Sequence, residues 1–308
     1  MRIGVNGSSL IALGSSLSTM GDHVAEAEAD GFSSYWMAQL AVPDALTAIA
    51  AMGSRTSTIE IGTAVIPTWP RHPLMLAGQA LTTQEAVGGR LVLGIGLAHK
   101  PSVESTLKIP FATPAKHMDE YLSVLLPAMS ERRVSFTGDI WSAEVTAVGG
   151  DASVSAPAVM LAAMGPRMLA MAGGRTAGTI LWLSGPRAIE TAIRPALVKA
   201  AAEAGRPQPR IVASVPVCVT DQPDAVRDVI ASVLAGYGDL PSYRGVMDAE
   251  GVDGPEGVSL VGSATEVEAG LKRFADAGTT DFSALEFFTN PDEMAATRAL
   301  LKDVAARS

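Results

Sequence analysis

The chain has 308 residues, 48% apolar and 18% charged, with 23 Lys and Arg against 32 Asp and Glu for a net charge of −9. So apolar a composition excludes a disordered chain, and the length permits a large core in one big domain or two ordinary ones. The few basic residues, none in a run of three, argue against nucleic acid and anionic membrane surfaces as partners.

The single cysteine, Cys218, has no partner for an internal disulfide and sits in an apolar stretch that reads as inert core. A reducing cytoplasm is therefore the simplest compartment. The uncharged run from Ile3 to Gly21 superficially resembles a secretory signal, but five serines and four glycines leave it no continuous apolar centre. It is also unsuited to a transmembrane helix, which needs roughly 20 apolar residues.

In chain order, short branched apolar runs alternate with segments of helical spacing that end at Gly or Pro. Arg2 to Val5 reads as strand one, followed by a Ser-rich flexible loop and a helix from Ser18 to Asp30 that turns Met20, Val24, Ala27 and Ala29 to one face. Ser33 to Met37 is strand two, with an Ala-rich helix from about Asp44 to Ser54. Thr58 to Ile66 reads as one buried strand, backed by a helix from Leu74 to Ala86, and Arg90 to Ile95 is strand four.

From Lys100 to about Ala156 the rhythm breaks into a Pro-spaced loop, a helix from about Pro114 to Ser130, and short pieces at Val134 to Phe136 and Val145 to Val148. The alternation resumes with strands at Pro157 to Ala163, Gly178 to Leu183 and Arg210 to Val219. A loop from Gly238 to Gly257 precedes a helix from Ala264 to Ala277, for which Ser263 and Glu266 form a capping box. Asp281 to Phe287 is the last strand, before a terminal helix near Asp292 to Arg307.

Eight strands joined through helices predict an α/β fold, a (β/α)8 TIM barrel spanning residues 1–308 as one domain, with an insertion at about 100–156 after strand four. A doubly wound open sheet is the alternative. It lacks support because Gly4, Gly7 and Gly14 do not have the spacing of a dinucleotide fingerprint.

In such a barrel the chemistry sits at the carboxyl ends of the strands. These ends carry Trp36, Met37 and Gln39; Thr63 to Val65; the loop PTWPRHP with Trp69, Arg71 and His72; Gly94 to His99; and Ala162, Ala163, Met164, Gly165, Pro166 and Arg167. Gly165-Pro166 opens a helix whose free N–H groups and dipole suit a phosphate, with Arg167 adding charge; an ordinary strand-to-helix turn is the other reading. Gly94 and Gly96 either admit a planar ligand to the backbone or relieve crowding inside the barrel. His99 is either a proton donor or a solvated loop histidine. The four histidines, His23, His72, His99 and His117, show no metal spacing, and no metal is expected.

Taken together, ADGFSSYWMAQL (29–40), IEIGTAVIPTWPRHPLMLAGQALTTQ (59–84), GGRLVLGIGLAH (88–99), LAAMGPRMLAMAGGRTAGTI (161–180) and DAGTTDF (276–282) resemble the luciferase-like monooxygenase superfamily. Within it, the chain is similar to the oxidoreductases that depend on the deazaflavin coenzyme F420. The resemblance implies a coenzyme phosphate at Ala163 to Arg167, a coenzyme ring over strands three and four, and a non-prolyl cis peptide near Gly62 to Val65. It also implies an insertion at Lys100 to Ala156 covering the substrate side, and a homodimer. The family's usual histidine or acidic residue near the end of strand two is absent here, where Met37 and Gln39 stand, and TAGT (176–179) replaces an acidic pattern.

The expected function is hydride transfer between coenzyme F420 and a small-molecule substrate in the cytoplasm. His99 is the expected proton donor. The coenzyme cradle would comprise Gly62, Thr63, Ala64, Val65, Gly94, Gly96 and Ala162 to Arg167, and the substrate pocket Trp36, Gln39 and Trp69. The alternatives are a flavin mononucleotide (FMN) monooxygenase and a non-catalytic barrel that stores the coenzyme.

Overall fold

A computed structural model describes every residue of the chain except Ala41. The eight strands form as β1 (Arg2–Asn6), β2 (Ser34–Met37), β3 (Glu60–Thr63), β4 (Leu91–Gly96), β5 (Ala158–Leu161), β6 (Gly178–Trp182), β7 (Arg210–Val219) and β8 (Asp281–Glu286). Each pairs in parallel with the next, and β8 pairs with β1 to close the cylinder. The result is a (β/α)8 TIM barrel with helices around it. The closed ring rules out the doubly wound open sheet.

Side chains alternate across each strand, so one set packs on the helices and the other fills the cylinder. Two interior layers matter for function. At the amino-terminal floor, Arg210 donates to Glu60 at 2.7 Å and to Asp281 at 2.9 Å, and Arg2 also pairs with Asp281. Above it, Trp36, Val92, Met160, Ile180 and Val212 form a buried apolar layer. The floor is sealed, so a ligand can enter only from the carboxyl end.

Several expected elements differ. The run Thr58 to Ile66 is not continuous: β3 ends at Thr63, and only Ile66–Pro67 pairs again with β4. The expected piece at 145–148 lies earlier, as Ser142–Val145, because the turn closed by the Gly138 N–H and the Trp141 carbonyl at 3.0 Å starts the second arm of the hairpin there. Ala29 is exposed while Met20, Val24 and Ala27 are buried, and part of the Ser-rich loop is a short helix, Ser8–Ala12.

The expected loop from Gly238 to Gly257 is largely helical, with Pro241–Glu250 and Pro255–Val258. Pro241 and Gly251 are helix punctuation rather than loop content: one occupies the first turn and the other ends the helix at φ 82°. A short strand, Leu260–Gly262, adds to β7 beyond the barrel. The capping box is present, with both the Ser263 and the Glu266 contacts made.

Gly94 is fixed by crowding. A Cβ there would overlap the Thr63 carbonyl oxygen and lie 2.5 Å from the Ile180 Cδ1. Because backbone cannot retreat as a side chain would, Gly94→Ala should destabilise the protein by at least ~3 kcal/mol, the upper end of ordinary overpacking. Urea unfolding followed by circular dichroism measures this, and a wild-type midpoint would falsify the crowding account.

Candidate active site

The site begins with a register fault. Gly62 is level with Val92 and Ile66 with Ile95, so β3 spends four steps where β4 spends three. One residue too many produces a bulge at Thr63–Val65. Thr63 repairs the interrupted ladder with its side chain, whose hydroxyl donates to the Gly94 carbonyl at 2.8 Å and accepts from the Gly94 N–H at 2.9 Å. The peptide between Ala64 and Val65 is cis, where the resemblance placed one.

Ala64 and Val65 are half-buried and rest on the interior layer of Trp36 and Met160. Gly96 leaves room for them: a Cβ there would lie 2.7 Å from Val65 Cγ2 and 3.1 Å from the Ala162 Cβ. Of the two readings of Gly94 and Gly96, crowding accounts for both. The mouth therefore presents a shelf of small groups, Ala64, Val65, Gly96 and Ala162, across β3 to β5.

Beside the shelf, the turn Ala162 to Arg167 leads into the helix Pro166–Arg175. Ala163 is buried, its N–H held by Thr179 Oγ1 at 3.2 Å, whereas Met164 is half-buried and Gly165, Pro166 and Arg167 are exposed. Pro166 occupies the first turn, no side chain caps the N-terminus, and no acidic residue stands there. No atom lies within 4 Å of a Cβ built on Gly165. An open, uncapped helix start of this kind is an anion site in waiting.

His99 is half-buried at the end of the β4 loop, next to Ala98 at φ 57°. Burial holds its imidazole below the usual pKa. It meets Tyr237 and Tyr243 edge-on, with ring centroids 5.8 and 5.6 Å away, and Trp182 approaches Tyr237 at 6.2 Å. None of these three partners stood out in the sequence. Trp182 ends a strand and could have been found by inspecting every strand end, whereas Tyr243 lies in the segment read as a loop and Tyr237 immediately precedes it.

The expected pocket residues fall elsewhere. Trp36 is fully buried in the interior layer, its indole N–H held by Ser34 Oγ at 2.9 Å, so it lies beneath the site and has no free wall to offer. Parity explains this, since Trp36 faces the same side as Ser34 and Gly62 receives its ring. Gln39 is committed to the chain: its side chain accepts from the Ala45 N–H at 2.8 Å, and its own N–H reaches the Val65 carbonyl at 3.4 Å.

Trp69 is buried and stacked on His117 at 3.7 Å, with Phe111 on its other flank at 5.1 Å. It thus belongs to a support behind the shelf. There Trp141 Nε1–H donates to His117 Nδ1 at 3.3 Å, which leaves the proton on Nε2 to donate to Thr68 Oγ1 at 2.9 Å; Thr68 in turn donates to the Gly96 carbonyl at 3.2 Å. This relay ties the helix Pro114–Ser130 to the end of β4. Arg71 is paired with Asp44, and His72 caps the helix Pro73–Ala86.

Outside the site, Cys218 is buried and burial pushes its thiol up to about 12, which makes it unreactive. Among the described residues, no helix is long and apolar enough to cross a membrane, and no three His, Cys, Asp or Glu side chains are grouped to hold a metal.

With this geometry in view, comparison with known proteins defines the class. The sequence model of the luciferase-like monooxygenase family matches residues 3–281, and the chain belongs to that family. It is 22% identical over 288 residues, 90% of its own length and 85% of the relative's, to the 5,10-methylenetetrahydromethanopterin reductase of Methanolobus tindarius. Among solved structures, the coenzyme F420-dependent tetrahydromethanopterin reductase of Methanopyrus kandleri superposes with a TM-score of 0.81 at 19% identity, covering 99% of this chain and 98% of that one. The oxygenating constituent of 3,6-diketocamphane monooxygenase from Pseudomonas putida, solved with FMN, superposes with a TM-score of 0.79 at 18% identity, covering 100% and 98%.

The His117 relay requires a neutral ring, because a proton on Nδ1 would face the Trp141 donor. Burial accordingly lowers the His117 pKa to about 4 from an ordinary 6.5. The unfolded chain then binds the extra proton first, so stability is full above about pH 6.5 and declines by on the order of 3 kcal/mol as pH falls towards 4. The nearby contribution of His23, also lowered to about 4, is opposed by Glu286, which burial raises to about 7. His117→Asn should therefore flatten the acid limb of a melting-temperature profile between pH 6.5 and 4, and an unchanged slope would count against the relay.

Proposed function

We propose that this chain is an oxidoreductase that binds the deazaflavin coenzyme F420 and catalyses hydride transfer between it and a small organic molecule. One observation carries the reading: an uncapped, sterically open helix start at Gly165-Pro166 adjoins a shelf of small groups, the half-buried Ala64, Val65 and Ala162 and the buried Gly96. An anionic tail and a flat ring fit that combination. The likeness to the coenzyme F420-dependent tetrahydromethanopterin reductase of Methanopyrus kandleri, which runs over nearly all of both chains, supports the choice of coenzyme.

When bound, the coenzyme supplies the hydride chemistry. The protein supplies position, exclusion of water and a proton. N–H groups in the first turn of the helix Pro166–Arg175, with the exposed Arg167 guanidinium, would hold the phosphate. Thr63 keeps the bulge in place, and Ala64 and Val65 support the ring from the barrel side.

His99 is the titratable group that would move a proton at the substrate oxygen. Its depressed pKa leaves the ring neutral at pH 7, ready to accept a proton as an alcohol is oxidised. In the reductive direction it must first be protonated, so kcat/KM for reduction should fall as pH rises through a value below the ordinary imidazole pKa. His99→Gln should remove that limb while leaving coenzyme affinity within about twofold; persistence of the limb assigns the proton to another group.

The second reading is an FMN-dependent monooxygenase, favoured by the FMN-bound neighbour of similar fold. Titrating the purified protein with both cofactors separates the two. Submicromolar binding of F420 is expected, and tight FMN binding with none for F420 reverses the assignment.

The phosphate site has a test of its own in Gly165→Asp. The backbone at φ −87°, ψ 157° is ordinary for a capping residue, and Asp caps a helix better than Gly by some tenths of a kcal/mol. The variant should melt no lower than wild type yet bind coenzyme at least tenfold more weakly, because its carboxylate occupies and repels the phosphate position. Equal affinity would remove the phosphate from this turn.

A further inference from the structure

Next to the small-residue shelf, on the side of β6, the mouth of the barrel carries a group of aromatic rings. Trp182 at the end of β6 and Tyr237 in the short helix Ala235–Gly238 are half-buried, and Tyr243 in the helix Pro241–Glu250 is buried behind them. Tyr237 and Tyr243 pack edge to face at 4.9 Å and 72°, and His99 stands at 89° to Tyr237. Rings set at right angles build a corner instead of a stack. A further flat ring can enter such a corner in the edge-to-face or offset geometries that aromatic groups prefer.

The corner is held by more than ring contacts. Glu250, at the end of the helix carrying Tyr243, accepts from the Ala188 N–H at 3.0 Å and so ties that helix to the segment after β6. The helix of Tyr243 and the segment that follows Trp182 are thus held to each other.

Among the described residues, none of the four rings makes a hydrogen bond or ion pair with a charged side chain, the Glu250 carboxylate is taken up by the Ala188 N–H, and Arg187 in the helix after β6 is exposed. Arg71 is paired with Asp44, Lys100 lies near Glu104, and Arg244 pairs with Asp248. The depression of the His99 pKa has burial as its only cause, with no charged neighbour contributing. A charged group carried into this corner would give up its hydration without a counter-ion, which is costly.

We infer that the substrate is a flat, uncharged aromatic or conjugated compound bearing an acceptor oxygen, held by Trp182 and Tyr237 with its oxygen towards His99. Tyr243 is a positioning residue behind Tyr237. This inference rests on the proposed function for its place in a reaction, but recognition by the corner is testable without the coenzyme.

Equilibrium dialysis of 2-acetylnaphthalene against the full-length protein, both cofactor-free and in the presence of F420, decides it. The ketone should bind at micromolar concentration in at least one state, and the charged isostere 2-naphthoate at least tenfold more weakly. Tyr237→Leu and Trp182→Leu should each weaken the ketone by about tenfold, whereas Tyr237→Phe, which keeps the ring, should stay within twofold of wild type. F420 retention, read from its own absorbance in the same dialysis, should be unaffected by these substitutions.

Failure of the ketone to bind in both states overturns the inference, as does equal or tighter binding of 2-naphthoate. Loss of F420 retention in the leucine variants also overturns it, by giving the corner to the coenzyme. If wild type retains no F420 yet binds the ketone with the stated preference, the coenzyme assignment fails and the aromatic recognition stands.

Discussion

The site depends on one extra residue in β3. Because Gly62 and Ile66 are fixed against Val92 and Ile95, the intervening backbone has nowhere to go but into the mouth of the barrel. That displacement dictates its neighbours. Position 94 must be glycine because the Thr63 carbonyl fills the space of a side chain, and position 96 must yield to Val65 and to the Ala162 Cβ. The Thr63 hydroxyl, donating to and accepting from Gly94, supplies the hydrogen bonds that the bulge removes. A shelf of small groups is thus the by-product of a strand that does not fit its partner.

The same fault explains why the support behind the shelf is so polar. Thr68, just past the bulge, sends both its N–H and its hydroxyl to the Gly96 carbonyl, at 2.9 and 3.2 Å, and takes its own hydrogen bond from His117. A buried imidazole is useful here because it can accept on one side and donate on the other, which a buried amide or hydroxyl does with less rigid geometry. The aromatic packing of Trp69 and Trp141 excludes water from the relay and keeps His117 neutral. The three elements that meet at this point are consequently locked together without a net charge.

Much of this was legible in the sequence, and the parts that were not share a cause. The strands announced themselves because runs such as RIGVN and LVLGIG are buried on both faces and rich in branched residues, and the helix start at Gly165-Pro166 is a local signal that needs no distant partner. The glycines at 94 and 96 could be seen but not interpreted, since the atoms that crowd them come from β3, about 30 residues earlier. Trp36 was assigned to the pocket by proximity to a strand end, while its parity along β2 sends it inward. The pairing of His99 with Tyr237 and Tyr243 bridges some 140 residues, and no periodicity encodes a contact between a loop and helices so distant in the chain. Helix punctuation in the 238–257 stretch was taken for loop composition, which hid Tyr243.

The depth of the site follows from how the cylinder is filled. Arg210, Glu60 and Asp281 close the floor with paired charges, and the layer of Trp36, Met160 and Ile180 fills the middle. A ligand entering from the carboxyl end meets the top layer, where β3 to β5 offer small groups and Trp182 at the end of β6 stands with Tyr237. On the proposed function, a coenzyme would lie on the shelf with its charged end at the helix start, and a substrate would stand beside Trp182 and Tyr237. The selectivity of the barrel is set by what lies under the mouth as much as by what surrounds it.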